Sequence, residues 1–122
     1  MIIDHIGISV SNVDESKAFF SAALAPLGIT LIMETHGWVG LGREGKPDFW
    51  FGVGSEPQRP MHLAFRASSR EQVHQFHAAA IAAGAKDNGA PGLRPQYHAN
   101  YYGAFVIGPD GHNVEAVCHE AE

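Results

Sequence analysis

Apolar and polar positions alternate at the start of the chain. Ile6, Ile8 and Val10 interleave with His5, Gly7 and Ser9, the period-two pattern of a strand with one face toward a core. A polar step follows, with Ser11 and Asp14 at the spacing of a helix start, and the pattern becomes that of an apolar-faced helix ended by Gly28. Thr30 to Glu34, Trp38 to Leu41 and Asp48 to Val53 then read as three strands separated by Gly-rich turns.

The pattern then begins again. Leu63, Phe65 and Ala67 alternate with His62, Ala64 and Arg66, Ser68 with Glu71 forms the better capping box, and Gly84 ends a second helix. At an offset of 57 positions (62 − 5 = 57), Ser11 falls on Ser68, Asp14 on Glu71, Phe19 on Phe76, Ala22 on Ala79 and Ala23 on Ala80. Lys86 to Ala99 is rich in Gly, Pro, Asn and ring residues and is expected to be an irregular excursion. Tyr102 to Ile107 and Asn113 to Cys118 follow as strands joined by the Gly108-Pro109-Asp110-Gly111 turn. The expectation is an α+β fold of two β-α-β-β-β modules, about 2–54 and 60–119, forming one domain over 1–122.

A chain of 122 residues with 45% hydrophobic content suits a single core. A net charge of −5 without a basic run argues against nucleic acid or an anionic membrane surface as the main partner. No apolar stretch approaches the roughly 20 residues that cross a bilayer, and no charged leader precedes the first strand. One cysteine, Cys118, excludes an intrachain disulfide and suits a small core residue. A soluble, cytoplasmic protein is expected.

The repeat also carries chemistry. His5 and His62 occupy matching positions on the strand faces opposite the bulky apolar side chains. Glu115 shares a face of the last strand with Asn113 and Val117. A lone strand glutamate ordinarily points into water and a lone strand histidine is ordinarily structural. Two histidines at equivalent positions of a duplicated unit, plus a carboxylate on its terminal strand, form a set able to converge on one metal ion.

His98, Tyr97 and Tyr101 in the long second excursion are candidates for acid, base or hydrogen-bonding work. Arg94 suits a carboxylate or phosphate clamp, and Tyr102 a substrate contact. The bland alternative is a packed loop with wet tyrosine hydroxyls. Trp38, Trp50 and Phe51 suit core or dimer packing, with Trp50 the candidate for substrate stacking. His74 and His77 lie three apart on a helix but lack further donors and are read as surface residues. His36, His112 and His119 fit no ligand pattern, and the GPDG turn joins two strands without opening a helix, so it is no phosphate loop.

From Asp4-His5-Ile6-Gly7 to Val114-Glu115-Ala116-Val117 the chain resembles the vicinal oxygen chelate superfamily, which includes glyoxalase I, extradiol dioxygenases, and fosfomycin and bleomycin resistance proteins. The segments DHIGISVSN, HLAF and GPDGHNVEAV carry the likeness, and Arg94 to Tyr102 is similar to small single-domain bacterial glyoxalase-like members. The resemblance implies a curled mixed sheet around a metal or ligand cavity, with metal positions on the first and last strand of each module. Those map onto His5, His62 and Glu115. Counting four residues past the turn glycine, from Gly45 and from Gly111, sets Phe49 at the fourth position, with Asp48 expected to face the other way. Glyoxalase I is expected to use a carboxylate there.

Two histidines with one carboxylate resemble the facial triad of extradiol dioxygenases, although those enzymes usually carry more modules. The resemblance therefore implies a metal-dependent, glyoxalase-like enzyme of lyase or isomerase type, holding a small oxygenated substrate through divalent Zn, Ni, Mn or Fe. Its alternatives are an extradiol-type dioxygenase and a metal-free binding protein of the bleomycin-resistance type. Exposed sheet edges suggest a homodimer, with modules paired within or between chains.

Overall fold

A computed structural model describes residues 3–54, 56 and 58–122. The repeat of the sequence is a repeat of structure. The first module runs β1 (Ile6–Ser9), α1 (Val13–Leu24), a short 3-10 turn over Ala25–Leu27, β2 (Thr30–Thr35), β3 (Trp38–Arg43) and β4 (Lys46–Gly52). The second runs β5 (His62–Arg66), α2 (Arg70–Ala82), β6 (Lys86–Leu93), β7 (Tyr102–Ile107) and β8 (Asn113–Cys118). The modules form separate four-stranded sheets of matching order, β1-β4-β3-β2 and β5-β8-β7-β6. In each the first strand pairs parallel to the last and the others pair antiparallel.

Helix starts lie one residue later than the sequence spacing suggests. Asn12, not Ser11, caps α1 by accepting from the Glu15 amide at 3.0 Å, and Ser69, not Ser68, caps α2 by accepting from the Gln72 amide at 3.2 Å. Ser11 instead donates its amide to Asp110 Oδ2 across the two modules. The Gln72 side chain accepts from both the amide and hydroxyl of Ser68, so the reciprocal logic of a capping box survives in a shifted register.

The expected irregular excursion also begins as a strand. Lys86–Leu93 forms β6 despite Gly89, Pro91 and Gly92, because it is an edge strand and its ladder to β7 skips on either side of Gly89. Edges and bulges are where a sheet tolerates proline and glycine.

Both modules contribute to one core. α1 and α2 pack against each other. Phe20 meets Phe49 and Phe51 at ring separations of 4.9 and 5.5 Å, and Phe49 meets Phe65 of the second module at 5.2 Å. Phe20, Phe51 and Phe76 are fully buried, each contributing about 1.5–3 kcal/mol of apolar transfer. Cys118 is buried in the same core. Arg43 ties the modules together by donating to the Leu27 carbonyl at 3.0 Å and the Arg66 carbonyl at 2.6 Å.

With the helices and these rings on the core side, the opposite sheet faces stay open, and they carry His5 and His62. β1 and β5, the strands at whose ends the two histidines lie, are each an edge strand. Among the described residues no helix is long and apolar enough to cross a membrane.

Candidate functional site

Glu115 is the anchor of the open face of the second sheet. It sits mid-strand in β8, between Ala64 of β5 and Phe105 of β7, and is fully buried. A carboxylate there needs donors. His62 Nε2 donates to Oε1 at 2.8 Å, and the Tyr101 hydroxyl donates to Oε2. Gly103 makes room for this contact: a Cβ there would come within 3.1 Å of Glu115 Oε2 and 3.2 Å of the Tyr101 ring. Burial first, and then the Glu115 carboxylate, push the Tyr101 phenol well above its ordinary range.

A second tier orients His62. Asn113 Nδ2 donates to His62 Nδ1 at 2.8 Å, and Asn88 Nδ2 donates to Asn113 Oδ1 at 3.3 Å. With Nδ1 accepting, the imidazole proton lies on Nε2 and points at Glu115. The spacing that placed Asn113 on the face of Glu115 could have flagged this role. Asn88 gave no such signal, because its strand was hidden by glycine and proline.

His5 stands on the other module. Its side chain is 62% exposed, and Nδ1 pairs with Asp4 Oδ1 at 2.8 Å. Lys46 Nζ holds Asp4 through the backbone carbonyl at 2.9 Å and a carboxylate oxygen at 3.4 Å. The hydrogen bond from His5, then Lys46, keep the Asp4 carboxyl below its usual range. Among the described residues no three histidines, cysteines or acids gather where one ion could be held. The fold thus brings His62 and Glu115 together and leaves His5 apart.

The remaining predicted residues divide. Tyr101 touches Glu115 directly, while Tyr97 is 60% exposed and meets Tyr101 edge-on at 4.9 Å. His98 shares a 2.7 Å hydrogen bond with His119 Nδ1, the rings stacked at 4.8 Å beside Tyr101. Sequence spacing gave no reason to select His119. Arg94 donates to the Ala90 and Gly92 carbonyls and lies over the Phe105 ring, so its guanidinium braces the edge strand.

Tyr102 points toward α2, bonded to His74 at 2.7 Å and covered by Arg70. His77 is bonded to Asp87 at 3.0 Å, so neither helix histidine is a free surface group. Trp50 lies on the open face of the first sheet and, with His5, Gly7, Thr35, His36, Trp38 and Pro47, lines an open cleft of about 600 Å³.

The family model described as Glyoxalase/Bleomycin resistance protein/Dioxygenase superfamily matches residues 2–116. The chain belongs to that superfamily. A glyoxalase/bleomycin resistance protein from Albidiferax ferrireducens T118 is similar at 28% identity and TM-score 0.86, covering 97% of this chain and 99% of that one. A putative glyoxalase from Bacillus halodurans is similar at 25% identity and TM-score 0.71, covering 96% and 95%. A superfamily protein from Burkholderia phytofirmans PsJN, at 20% identity and TM-score 0.73 over 97% and 98%, shares the fold. No curated protein matches the chain in sequence.

The ladders revise the fourth superfamily position. Ala64 pairs with Glu115 in the second module, and Gly7, two residues past His5 as Ala64 is past His62, pairs with Trp50. Trp50 therefore holds the place equivalent to Glu115, while Phe49 is buried in the core. Counting from the turn glycine slipped because the hairpins differ. β3 and β4 close over Glu44-Gly45 with a bulge at Asp48, whereas five residues separate β7 from β8 without one. Asp48 is the exposed bulge residue.

The donors present fit a borderline divalent ion only in part. His62 Nε2 and Glu115 Oε1 are neighbours, a nitrogen and an oxygen of the kind that Zn, Ni, Mn or Fe accept, but among the described residues of one chain no third such donor lies beside them.

Proposed function

We propose that the protein is a metal-dependent enzyme of glyoxalase type, a lyase or isomerase for a small oxygenated substrate, whose site is completed by pairing two copies. The buried Glu115 on an open face, met by His62 at 2.8 Å, carries this reading. A carboxylate is costly to bury, and the donors that meet this one are the His62 ring and the Tyr101 phenol. His5 and His62 border unpaired strand edges, so a second copy laying its β1 beside β5 would add its His5 to His62 and Glu115.

A divalent ion bound there would act as a Lewis acid toward substrate oxygens. Within the chain, Asn113 holds the His62 ring at Nδ1; an ion taking Nε2 would put the ring proton on Nδ1 and turn the Asn113 amide so that its oxygen accepts it, while Tyr101 offers an un-ionised phenol at the carboxylate. Trp50, standing where glyoxalase I is expected to have a carboxylate, leaves the proton acceptor of that isomerisation unassigned.

Metal content tests the reading. The isolated protein is expected to hold stoichiometric metal, and His5→Ala and His62→Ala to lose it. Refolding the two variants together in equal amounts makes half the dimers mixed, each with one intact site, so about one quarter of the wild-type metal returns. No recovery would mean that the sites are not shared between copies. Iron with oxygen uptake would favour the dioxygenase alternative.

Trp50 in a ligand position favours a second reading, a ligand-binding protein of the bleomycin-resistance type. Negligible metal in the wild type and both variants would select it.

A further inference from the structure

The open face of the first module has a construction that the chemistry above does not use. The segments Trp38-Val39-Gly40 and Trp50-Phe51-Gly52 run antiparallel on β3 and β4 in a register that sets each tryptophan opposite the other's glycine, Trp38 against Gly52 and Gly40 against Trp50. The indoles lie down on those glycines. A Cβ on Gly52 would fall 2.5 Å from Trp38 Cδ2, and one on Gly40 would fall 2.9 Å from Trp50 Cζ3. Gly7 of β1 extends the same floor, its Cβ position 3.7 Å from the Trp38 ring.

Gly40 and Gly52 are buried beneath the rings, while both indoles remain half-exposed to the cleft of about 600 Å³. Rings that merely sealed the sheet would leave no cleft above them. At the rim stand His5, His36 and Thr35. His36 and Gly37 form the positive-φ turn between β2 and β3, and the Thr35 hydroxyl bonds His36 Nδ1 at 2.9 Å. Floor and rim differ sharply in polarity: two flat π-faces below, hydrogen-bonding imidazoles at one side.

We infer that Trp38 and Trp50 form a stacking subsite for a planar aromatic compound that carries oxygen at the edge facing His5 and His36. The inference rests on the proposed function in one respect only, that those oxygens point toward the reacting centre. The ring subsite belongs to one chain and requires no metal. A flat ring gains contact over both indoles at once, whereas a puckered saturated ring of equal charge and similar size touches them at fewer atoms.

The chain has two tryptophans, so its tryptophan fluorescence, excited at the red edge where tyrosine does not absorb, and its two indole N–H resonances report on this floor alone. Titration of the isolated protein with 2-naphthoate is expected to quench the fluorescence and shift both resonances saturably. Decalin-2-carboxylate should bind at least about tenfold more weakly. Trp50→Leu should weaken naphthoate by about tenfold or more, Trp50→Phe by much less, and Gln75→Ala, an exposed position on α2, not at all. Should Trp50→Leu fail to fold, the two acids on the wild type and on Trp50→Phe still decide.

Equal affinity for the flat and puckered acids, or naphthoate binding that leaves the indoles unmoved, overturns the inference. A metal-free protein that still prefers naphthoate sinks the metal reading alone.

Discussion

Tyr101→Phe isolates the bond on which the buried acid depends. The substitution keeps the ring and removes the hydroxyl donating to Glu115 Oε2, leaving His62 as donor to a side chain with no solvent exposure. A hydrogen bond to a charged group contributes about 1.5–3 kcal/mol, and an orphaned buried acceptor costs about as much. Tyr101 is half-buried, so water entering at the vacated hydroxyl offsets part of the loss. The expected cost is therefore at the lower end, about 1.5–2 kcal/mol. Urea unfolding followed by circular dichroism at neutral pH measures it, with an unchanged denaturant slope confirming that compactness is unaltered. Tyr97→Phe is the control: its ring is 60% exposed, and it should cost less than about 0.5 kcal/mol. If the two variants cost the same, Glu115 does not lean on the phenol and the account of the site is wrong.

The same phenol gives a pH signature at the alkaline end. Its folded-state pKa is raised above the ordinary value of 10.0, so its contribution to stability is intact below that pH and declines as pH rises past it. Ultraviolet titration should show one tyrosine ionising later than the rest, and later than in Glu115→Gln. At the acid end, burial holds the His112 imidazole below its ordinary 6.5, with Nδ1 accepting from the Met61 amide and Nε2 without a partner among the described residues. Its contribution is present above that value and is lost as pH falls through it, so stability between pH 7 and 5 should slope less in His112→Gln than in the wild type. Gly52→Ala drives a methyl into Trp38; we expect a loss of about 1–3 kcal/mol and red-shifted tryptophan emission, whereas unchanged emission would mean that the indole does not lie on the strand.

Much of this architecture is legible in the chain. Period-two runs at Ile6 to Val10 and Leu63 to Ala67, apolar-faced helices after each, and glycine stops at Gly28 and Gly84 are local properties, and the fold realises them in place. The pattern sets His62 and Glu115, with His5, around one ion; of these three, His62 and Glu115 meet, through a hydrogen bond. Lys86–Leu93 was hidden because its strand character comes from the neighbour it pairs with, overriding glycine and proline.

What the sequence could not decide is relative placement. Whether His5 joins His62 depends on how two modules pack; α1 and α2 pack against each other, and among the described residues His5 shares no ion-holding cluster with His62. The position of Trp50 depends on a bulge and on hairpin lengths that no residue count carries across the repeat. The burial of Glu115 depends on Tyr101 folding back from a loop. Local patterning fixes which side of a strand a residue takes, since that follows from backbone geometry alone. Which side chains meet is set by packing between segments far apart in the chain.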